Sequence, residues 1–292
     1  MSYISYSYIT FFIYYLKKSK FYYIISPRKV SSKMNILVVG DVYSKLGRAS
    51  FERNLNKIKE TKTINFVIVN GENTSHGKGL NENHYKWYME HGVNVLTMGN
   101  HTYQNRSIFK FIDQVNNLVR PYNLPDTCAG KGYSLINYNG VKICVFQVMG
   151  QVFMNNDMLT SPFLAADKVL SEVSADIYLC DFHGEATSEK VAFGYYVDGK
   201  VNAVFGTHTH VPTCDSRILK NGTAYITDIG MTGALDGVIG TKASIIVDRF
   251  VNKSQNIFEP EDSGKSQFNA IILTIDDKTF KTTNIERINI VE

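Results

Sequence analysis

Seven residues of metal-ligating type stand just beyond short apolar runs in this sequence: Asp41, Glu72, Asn73, Asn100, His183, His208 and His210, with His101 beside Asn100. Together they supply carboxylates, amide oxygens and imidazoles. Two closely spaced hydrolytic metal ions need that mixture: a bridging anion, neutral nitrogens, and hard oxygens that leave positions open for water and substrate. Each fragment alone is weak. His208 and His210 form a His-x-His pair whose rings point to one side of an extended segment, yet an isolated pair is as easily a surface coincidence. Gly99-Asn100-His101 alone reads as a turn with a capping Asn, Asp41 as a cap for a helix opening near Gly47, and Glu72 as a solvated acid. The conjunction at five separate loops carries the metal reading.

Those loops need elements to hold them. Asn35 to Val39 is an apolar run ending in Gly40-Asp41, Phe66 to Val69 ends in Asn70-Gly71-Glu72-Asn73, and Val93 to Met98 ends in Gly99-Asn100-His101. Further on, Ala175 to Asp181 leads to His183, and Val201 to Phe205 leads to Gly206-Thr207-His208-Thr209-His210. Continuous apolar runs read as strands buried on both faces. Phe51, Leu55 and Ile58 have the spacing of an amphipathic helix, and a second helix is expected over Asn83 to His91. Tyr133 to Tyr138 and Val141 to Val148 read as a hairpin turning on Asn139-Gly140. Strands are also expected over Thr223 to Thr227, Ala270 to Ile275 and Thr282 to Ile288. The fold class is α/β, in which ligands gather at the carboxyl ends of strands, so the five loops should converge. The Gly-rich stretch Gly230 to Gly240 lacks phosphate-loop spacing and a following Lys-Ser or Lys-Thr, which argues against a nucleoside triphosphatase.

The chain has 292 residues, 44% of them hydrophobic, enough for a sizeable core. Its formal net charge of +4 is local: residues 1–33 carry five Lys and one Arg with no acid, and without those six charges the remainder stands at −2. Bulk charge therefore gives no case for nucleic acid. Cys128, Cys144, Cys180 and Cys214 are far apart and read as reduced core thiols, which favours the cytoplasm. Residues 1–33 are read as an N-terminal extension upstream of the domain at 34–292, with a miscalled start favoured over a weak membrane anchor. The apolar run Tyr3 to Leu16 is short of the ~20 residues a spanning helix needs and lacks the layout of a cleavable signal.

Taken in order, Gly40-Asp41, Asn70-Gly71-Glu72-Asn73, Gly99-Asn100-His101 and Gly206-Thr207-His208-Thr209-His210 resemble the calcineurin-like metallophosphoesterases. More narrowly, His76-Gly77-Lys78-Gly79-Leu80, Asp181-Phe182-His183-Gly184-Glu185-Ala186-Thr187-Ser188-Glu189-Lys190 and Thr227-Asp228-Ile229-Gly230-Met231-Thr232-Gly233 make the chain from Met34 onward similar to the bacterial YmdB-like subfamily. The resemblance implies a four-layer αββα sandwich and 2',3'-cyclic nucleotide phosphodiesterase activity. By its ligand pattern Asp41, Glu72, Asn73 and His210 would hold one metal, and Glu72 as bridge, Asn100, His183 and His208 the other. The ions would be two divalent or mixed-valence metals, iron or manganese. Three positions depart from the wider superfamily: Tyr43 where a His is usual, Glu72 where the bridge is usually Asp, and Thr102 where an acid usually follows the Asn-His pair. They agree with the subfamily and argue against a zinc-rich site and protein phosphatase activity.

The expected chemistry is in-line attack of a metal-bridging hydroxide on phosphorus, with His101 as the catalytic residue that protonates or stabilises the departing ribose oxygen. The bland role for His101 is to orient a neighbour. His76, His84 and His91 are expected on loop and helix surfaces, and Lys78, Arg120 and Thr187 are candidate substrate contacts. The expected partner is a small-molecule phosphodiester or cyclic nucleotide, with RNA and a homo-oligomer as further candidates and a membrane disfavoured. One rival is an amidohydrolase, whose barrel form places its His-x-His pair near the chain start, unlike His208 and His210. Another is a metal-binding regulatory protein with little turnover, acting through RNA or protein partners. Substrate specificity is expected in loops such as Met149 to Ser161.

Overall fold

The computed structural model describes residues 33–292. The reading of residues 1–33 as an extension or anchor lies outside the described residues, save Lys33, which opens the first strand. In chain order come β1 (Lys33–Val39), α1 (Ser44–Thr61), β2 (Phe66–Asn70), α2 (Glu82–Glu90), β3 (Val95–Thr97) and β4 (Leu118–Val119). Next are β5 (Tyr133–Tyr138), β6 (Val141–Met149), α3 (Pro162–Glu172), β7 (Ile177–His183), α4 (Thr187–Tyr196) and β8 (Ala203–Thr207). The chain closes with β9 (Arg217–Ile218), β10 (Ala224–Ile226), β11 (Gly233–Ala234), α5 (Ala243–Asn252), β12 (Ser266–Asp276) and β13 (Thr282–Val291).

Two sheets result. One has the order β11-β12-β1-β2-β3-β4, with β13 also paired to β12, and its members β1 to β4 run parallel. The other has the order β5-β6-β7-β8-β10-β9, in which β6, β7, β8 and β10 run parallel. Side chains alternate across a strand, and that alternation builds the layers. Leu37 and Val39 of β1 join Val67, Val69, Phe51, Leu55 and Tyr88 in a cluster between the first sheet and helices α1 and α2. Ile36 and Val38 join Phe66, Ile68, Ile143, Val145, Leu179 and Phe205 between the two sheets. Cys144, Phe146, Phe182 and Val204 face outward from the second sheet against Ala166 and Val169 of α3 and Phe193 of α4. The architecture is a four-layer αββα sandwich, and a strand covered on both sides explains the apolar runs 36–39, 66–69 and 203–205 within β1, β2 and β8. Each fully buried Phe or Leu in these layers contributes roughly 1.5–3 kcal/mol.

The hairpin falls where Asn139-Gly140 placed it. Tyr138 pairs Val141, and Asn139 and Gly140 have φ of 51° and 92°, the two left-handed residues of the turn whose twist matches its strands. Helix α1 opens at Ser44 with Tyr43 as its N-cap, so Asp41 lies outside it and is not the cap. Among the described residues, no helix is long and apolar enough to cross a membrane. The core-thiol reading holds for Cys144 and Cys180, which are buried, whereas Cys128 is half-buried and Cys214 is exposed; all four are free.

The strand ends meet through backbone alone at two places. A Cβ on Gly206 would sit 1.7 Å from the Thr227 carbonyl oxygen, and one on Gly40 would sit 1.8 Å from that of Gly230. No rotamer relieves a clash with backbone. Gly206→Ala is expected to cost about 3 kcal/mol and to lower Tm by about 6–12 °C, read by scanning calorimetry. An unchanged Tm would mean that these strand ends part without cost.

Candidate metal centre

Because β1, β2 and β3 lie side by side and parallel, their carboxyl ends bring Asp41, the Glu72–Asn73 pair and the Asn100–His101 pair into one row. Neighbours β7 and β8 do the same for His183, the last residue of β7, and for the loop carrying His208 and His210. The two rows face each other. All seven ligand-type residues and His101 are thus brought together, and their atoms fall into two groups.

In the first group, the Asn73 Nδ2 lies 3.3 Å from Asp41 Oδ1, 3.4 Å from Glu72 Oε1 and 3.0 Å from His210 Nε2. Two carboxylate oxygens and an imidazole nitrogen surround that point, a cation's environment in which the amide nitrogen stands. Asn73 Oδ1 instead accepts from His101 Nδ1 at 2.9 Å. The sequence reading made the amide oxygen the ligand; that atom reaches the group after the amide turns over, since only the oxygen carries lone pairs.

In the second group, His183 Nε2 is 3.1 Å from Glu72 Oε1, 2.8 Å from Asn100 Oδ1 and 3.1 Å from His208 Nδ1. Asn100 Oδ1 is also 3.1 Å from His208 Nδ1. Atoms of Glu72, His183 and His208 suited to one ion lie within 4.8 Å of one another. Glu72 Oε1 belongs to both groups. His101 stands beside them, its backbone N–H donating to Glu72 Oε2 at 2.9 Å and its ring 28% exposed.

Charge in the metal-free cluster is balanced by protons. Burial raises the Asp41 carboxyl, but the hydrogen bond and charge of His210 prevail and hold it well below the ordinary range. Burial likewise opposes ionisation of Glu72, yet the charge of His183 beside it brings it down to about 2. Burial would lower His210, but its partner Asp41 lifts it to about 9. His183 is raised, with Glu72 outweighing burial. His208 goes the other way, to about 3, through burial and the charge of His183. Cations entering this cluster compete with the protons on His183 and His210.

The supports are buried too. His208 and His210 have φ of 98° and 66°, a left-handed backbone that costs a residue with a side chain about 1–3 kcal/mol and persists only when its surroundings fix it. Lys190 Nζ donates to the Thr207 carbonyl at 2.7 Å and to Asp228 Oδ2 at 2.7 Å, and Asp228 Oδ2 accepts from the Thr209 N–H at 3.1 Å. The loop is therefore pinned on both sides of His208. The Ile239 carbonyl accepts from His210 Nδ1 at 2.9 Å. Tyr43, at the place of the superfamily's extra His, packs its ring edge-to-face with that of His210, the ring centres 5.7 Å apart, and its hydroxyl lies 3.4 Å from Thr241 Oγ1. Sequence reasoning gave no role to Thr207, Lys190 or Asp228, or to Asp181, which burial raises to about 6 against the charge of His183 and its own hydrogen bonds. One signal was available: a carboxylate inside the apolar run Ile177–His183 demands partners.

The remaining sequence candidates lie elsewhere. Arg120 is buried and donates to the Pro121 carbonyl, so its guanidinium is committed to its own loop, while Lys78 and Thr187 are exposed. His76 is exposed, His84 bonds the Ser75 hydroxyl and His91 closes α2. The loop after β6, in which specificity was expected, is tied to α4, with Glu189 accepting from the Gln151 and Val152 N–H groups at 2.9 and 3.2 Å.

A sandwich of two helix-covered sheets, with carboxylate, amide and imidazole donors converging where parallel strands of both sheets end, is the metallophosphoesterase architecture. Within it, the chain belongs to the YmdB-like family, whose profile matches residues 37–288. It is similar to a 2',3'-cyclic-nucleotide 2'-phosphodiesterase of Bacillus subtilis, 44% identical over 257 residues covering 87% of this chain and 96% of the relative. The crystal structure of a novel phosphatase from Mycoplasma pneumoniae superposes with a TM-score of 0.85 at 38% identity, covering 89% of this chain and 94% of that one. A 5'-nucleotidase structure from Staphylococcus aureus, at 13% identity, a TM-score of 0.58 and 89% and 55% coverage, shares the fold alone.

Proposed function

We propose that this protein is a metal-dependent phosphodiesterase acting on 2',3'-cyclic nucleotides or related small phosphodiesters. The observation that carries the reading is Glu72 Oε1, common to both donor groups, as the bridge of a two-metal site requires. The activity for which the Bacillus subtilis relative is named supports the substrate class. Asp41, Asn73 and His210 with Glu72 would hold one ion, and Asn100, His183 and His208 with Glu72 the other, iron or manganese by resemblance. The donor set fits hard or borderline divalent ions, having no thiolate. When bound, two such ions supply Lewis acidity at the phosphoryl oxygens and generate the nucleophile at neutral pH. His101 is fixed by its contacts with Glu72 and Asn73 and reaches solvent, so it can hold a proton and deliver it to the departing ribose oxygen. Asn100 is at the exposed rim, where substrate enters.

One feature favours a second reading, in which the centre is kept, turnover is slight and a partner matters more. Val247, Phe250 and Val251 of α5, with Ile257 and Phe258 after it, are exposed apolar side chains, and such patches mark interaction surfaces. The deciding experiment measures metal content and hydrolysis of 2',3'-cyclic AMP beside 3',5'-cyclic AMP and a generic diester, with and without manganese or iron. The expected result is metal-dependent turnover of the 2',3'-cyclic substrate, reduced about 100-fold or more in Asn100→Ala. Two bound metals with no turnover of any ester would overturn the enzymatic reading in favour of the second.

A further inference from the structure

Directly beneath the centre, the apolar interior between the sheets is closed by polar side chains from five strands. Asn70 of β2, Thr97 of β3, Gln147 of β6, Asp181 of β7 and Thr207 of β8 are all buried. Each stands two residues beyond a core residue of that interior, Ile68, Val95, Val145, Leu179 and Phe205, and so points the same way. Asp181 is the hub. Its Oδ2 accepts from Thr97 Oγ1 at 2.5 Å, Gln147 Nε2 at 3.2 Å and Asn70 Nδ2 at 3.3 Å, and its Oδ1 accepts from Thr207 Oγ1 at 2.6 Å. Both amides also donate to the Met98 carbonyl, which fixes their NH2 groups in this orientation.

We propose that Asp181 is a positioning residue that acts through Thr207 to fix the tautomer and aim of His183. The proposal rests on the metal-dependent reading of the centre. An ionised carboxylate only accepts, and a hydroxyl has one proton. With that proton donated to Asp181, Thr207 Oγ1 meets His183 Nδ1, 2.8 Å away, as an acceptor. His183 therefore keeps a proton on Nδ1, so a metal that displaces the Nε2 proton now facing Glu72 Oε1 and Asn100 Oδ1 would meet a lone pair there. Without the carboxylate, the Thr207 proton is free to turn toward His183, and the Nε2 position would hold a proton where a metal must bind. The same hub ties Asn70 and Thr97 of one sheet to Asp181, Gln147 and Thr207 of the other. It thereby sets the register of the two rows of ligands.

Asp181→Asn tests this. Three donors converge on Oδ2, so the new amide keeps its oxygen there and turns its NH2 toward Thr207, releasing the hydroxyl proton to His183. In the full-length metal-free protein, 15N spectra of labelled histidine should show the Nδ1 of His183 protonated in the wild type and bare in the variant, with Nε2, which faces Glu72 and Asn100, protonated in both. Titration calorimetry with Mn2+ should show binding about 10–100-fold weaker. Thr207→Val, which removes the hydroxyl at equal volume, should weaken Mn2+ binding to a similar degree, and Thr207→Ser should restore wild-type affinity. If Asp181→Asn fails to fold, the two Thr207 variants decide the matter. Folded variants that keep the Nδ1 proton and wild-type Mn2+ affinity would overturn the proposal and leave the proposed function standing. A wild type that takes up no Mn2+ would overturn the proposed function, whereas the tautomer measurement would still decide what Asp181 does to His183.

Discussion

Glu72→Gln is expected to lower kcat for a 2',3'-cyclic nucleotide by about 1,000-fold or more and to reduce the bound metal from two ions to one or none. The substitution preserves shape and removes one negative charge from the side chain whose oxygen, Oε1, serves both donor groups. Each proposed ion loses an anionic ligand at once, whereas Asp41→Asn removes one from the first group alone. A loss of transition-state stabilisation near 4 kcal/mol corresponds to that thousandfold, a modest share of what metal activation of nucleophile and phosphoryl group supplies. Steady-state rates beside elemental analysis of the purified variant read both effects. A variant that keeps two metals and turns over within tenfold of the wild type would remove Glu72 from the bridging role.

The positions of Asp41, Glu72, Asn73, Asn100, His183, His208 and His210 were legible because each stands at or just beyond the end of a strand buried on both faces, and such strands write themselves largely as apolar runs. The β5–β6 hairpin was legible because Asn139-Gly140 suits the left-handed turn it makes. Strands β4, β9 and β11 have two residues each, too few for any periodicity to show. Helix α4 was hidden for a different reason: its buried face includes Glu189 and Lys190, so it carries no clean apolar stripe. Helix α5 has apolar residues in plenty, yet none of its residues is buried, so the pattern corresponds to no packed face. The Asp181 network could not be read from one sequence either. Its partners stand 84, 34, 111 and 26 positions away, and only the facing of the two sheets decides that these five side chains meet. The resemblance supplied the strings around Asp181, Lys190 and Asp228 without saying what those residues do.

Lys190 gives the largest expected effect on stability. Its ammonium is 1% exposed and Asp228, its partner at 2.7 Å, is fully buried, so Lys190→Met would leave a carboxylate in the interior with no counter-charge. Breaking a buried pair in this way costs about 3–5 kcal/mol, far more than a pair at the surface, and the Thr207 carbonyl loses its charged donor as well. Denaturant unfolding of the metal-free protein should show that loss. Lys190→Met/Asp228→Asn should recover part of it, because no lone charge remains and the amide oxygen can still accept from one of the Thr209 and Gly230 N–H groups that the two Asp228 oxygens now satisfy. The two single changes are therefore expected to be non-additive by about 1–3 kcal/mol in a double-mutant cycle. Metal affinity should not recover in step with stability, since His208 and His210 keep their left-handed backbone only while both Thr207 and Thr209 are held. Strict additivity, or full recovery of Mn2+ binding in the double variant, would show that the ion pair stabilises the fold without shaping the loop that carries the two histidines.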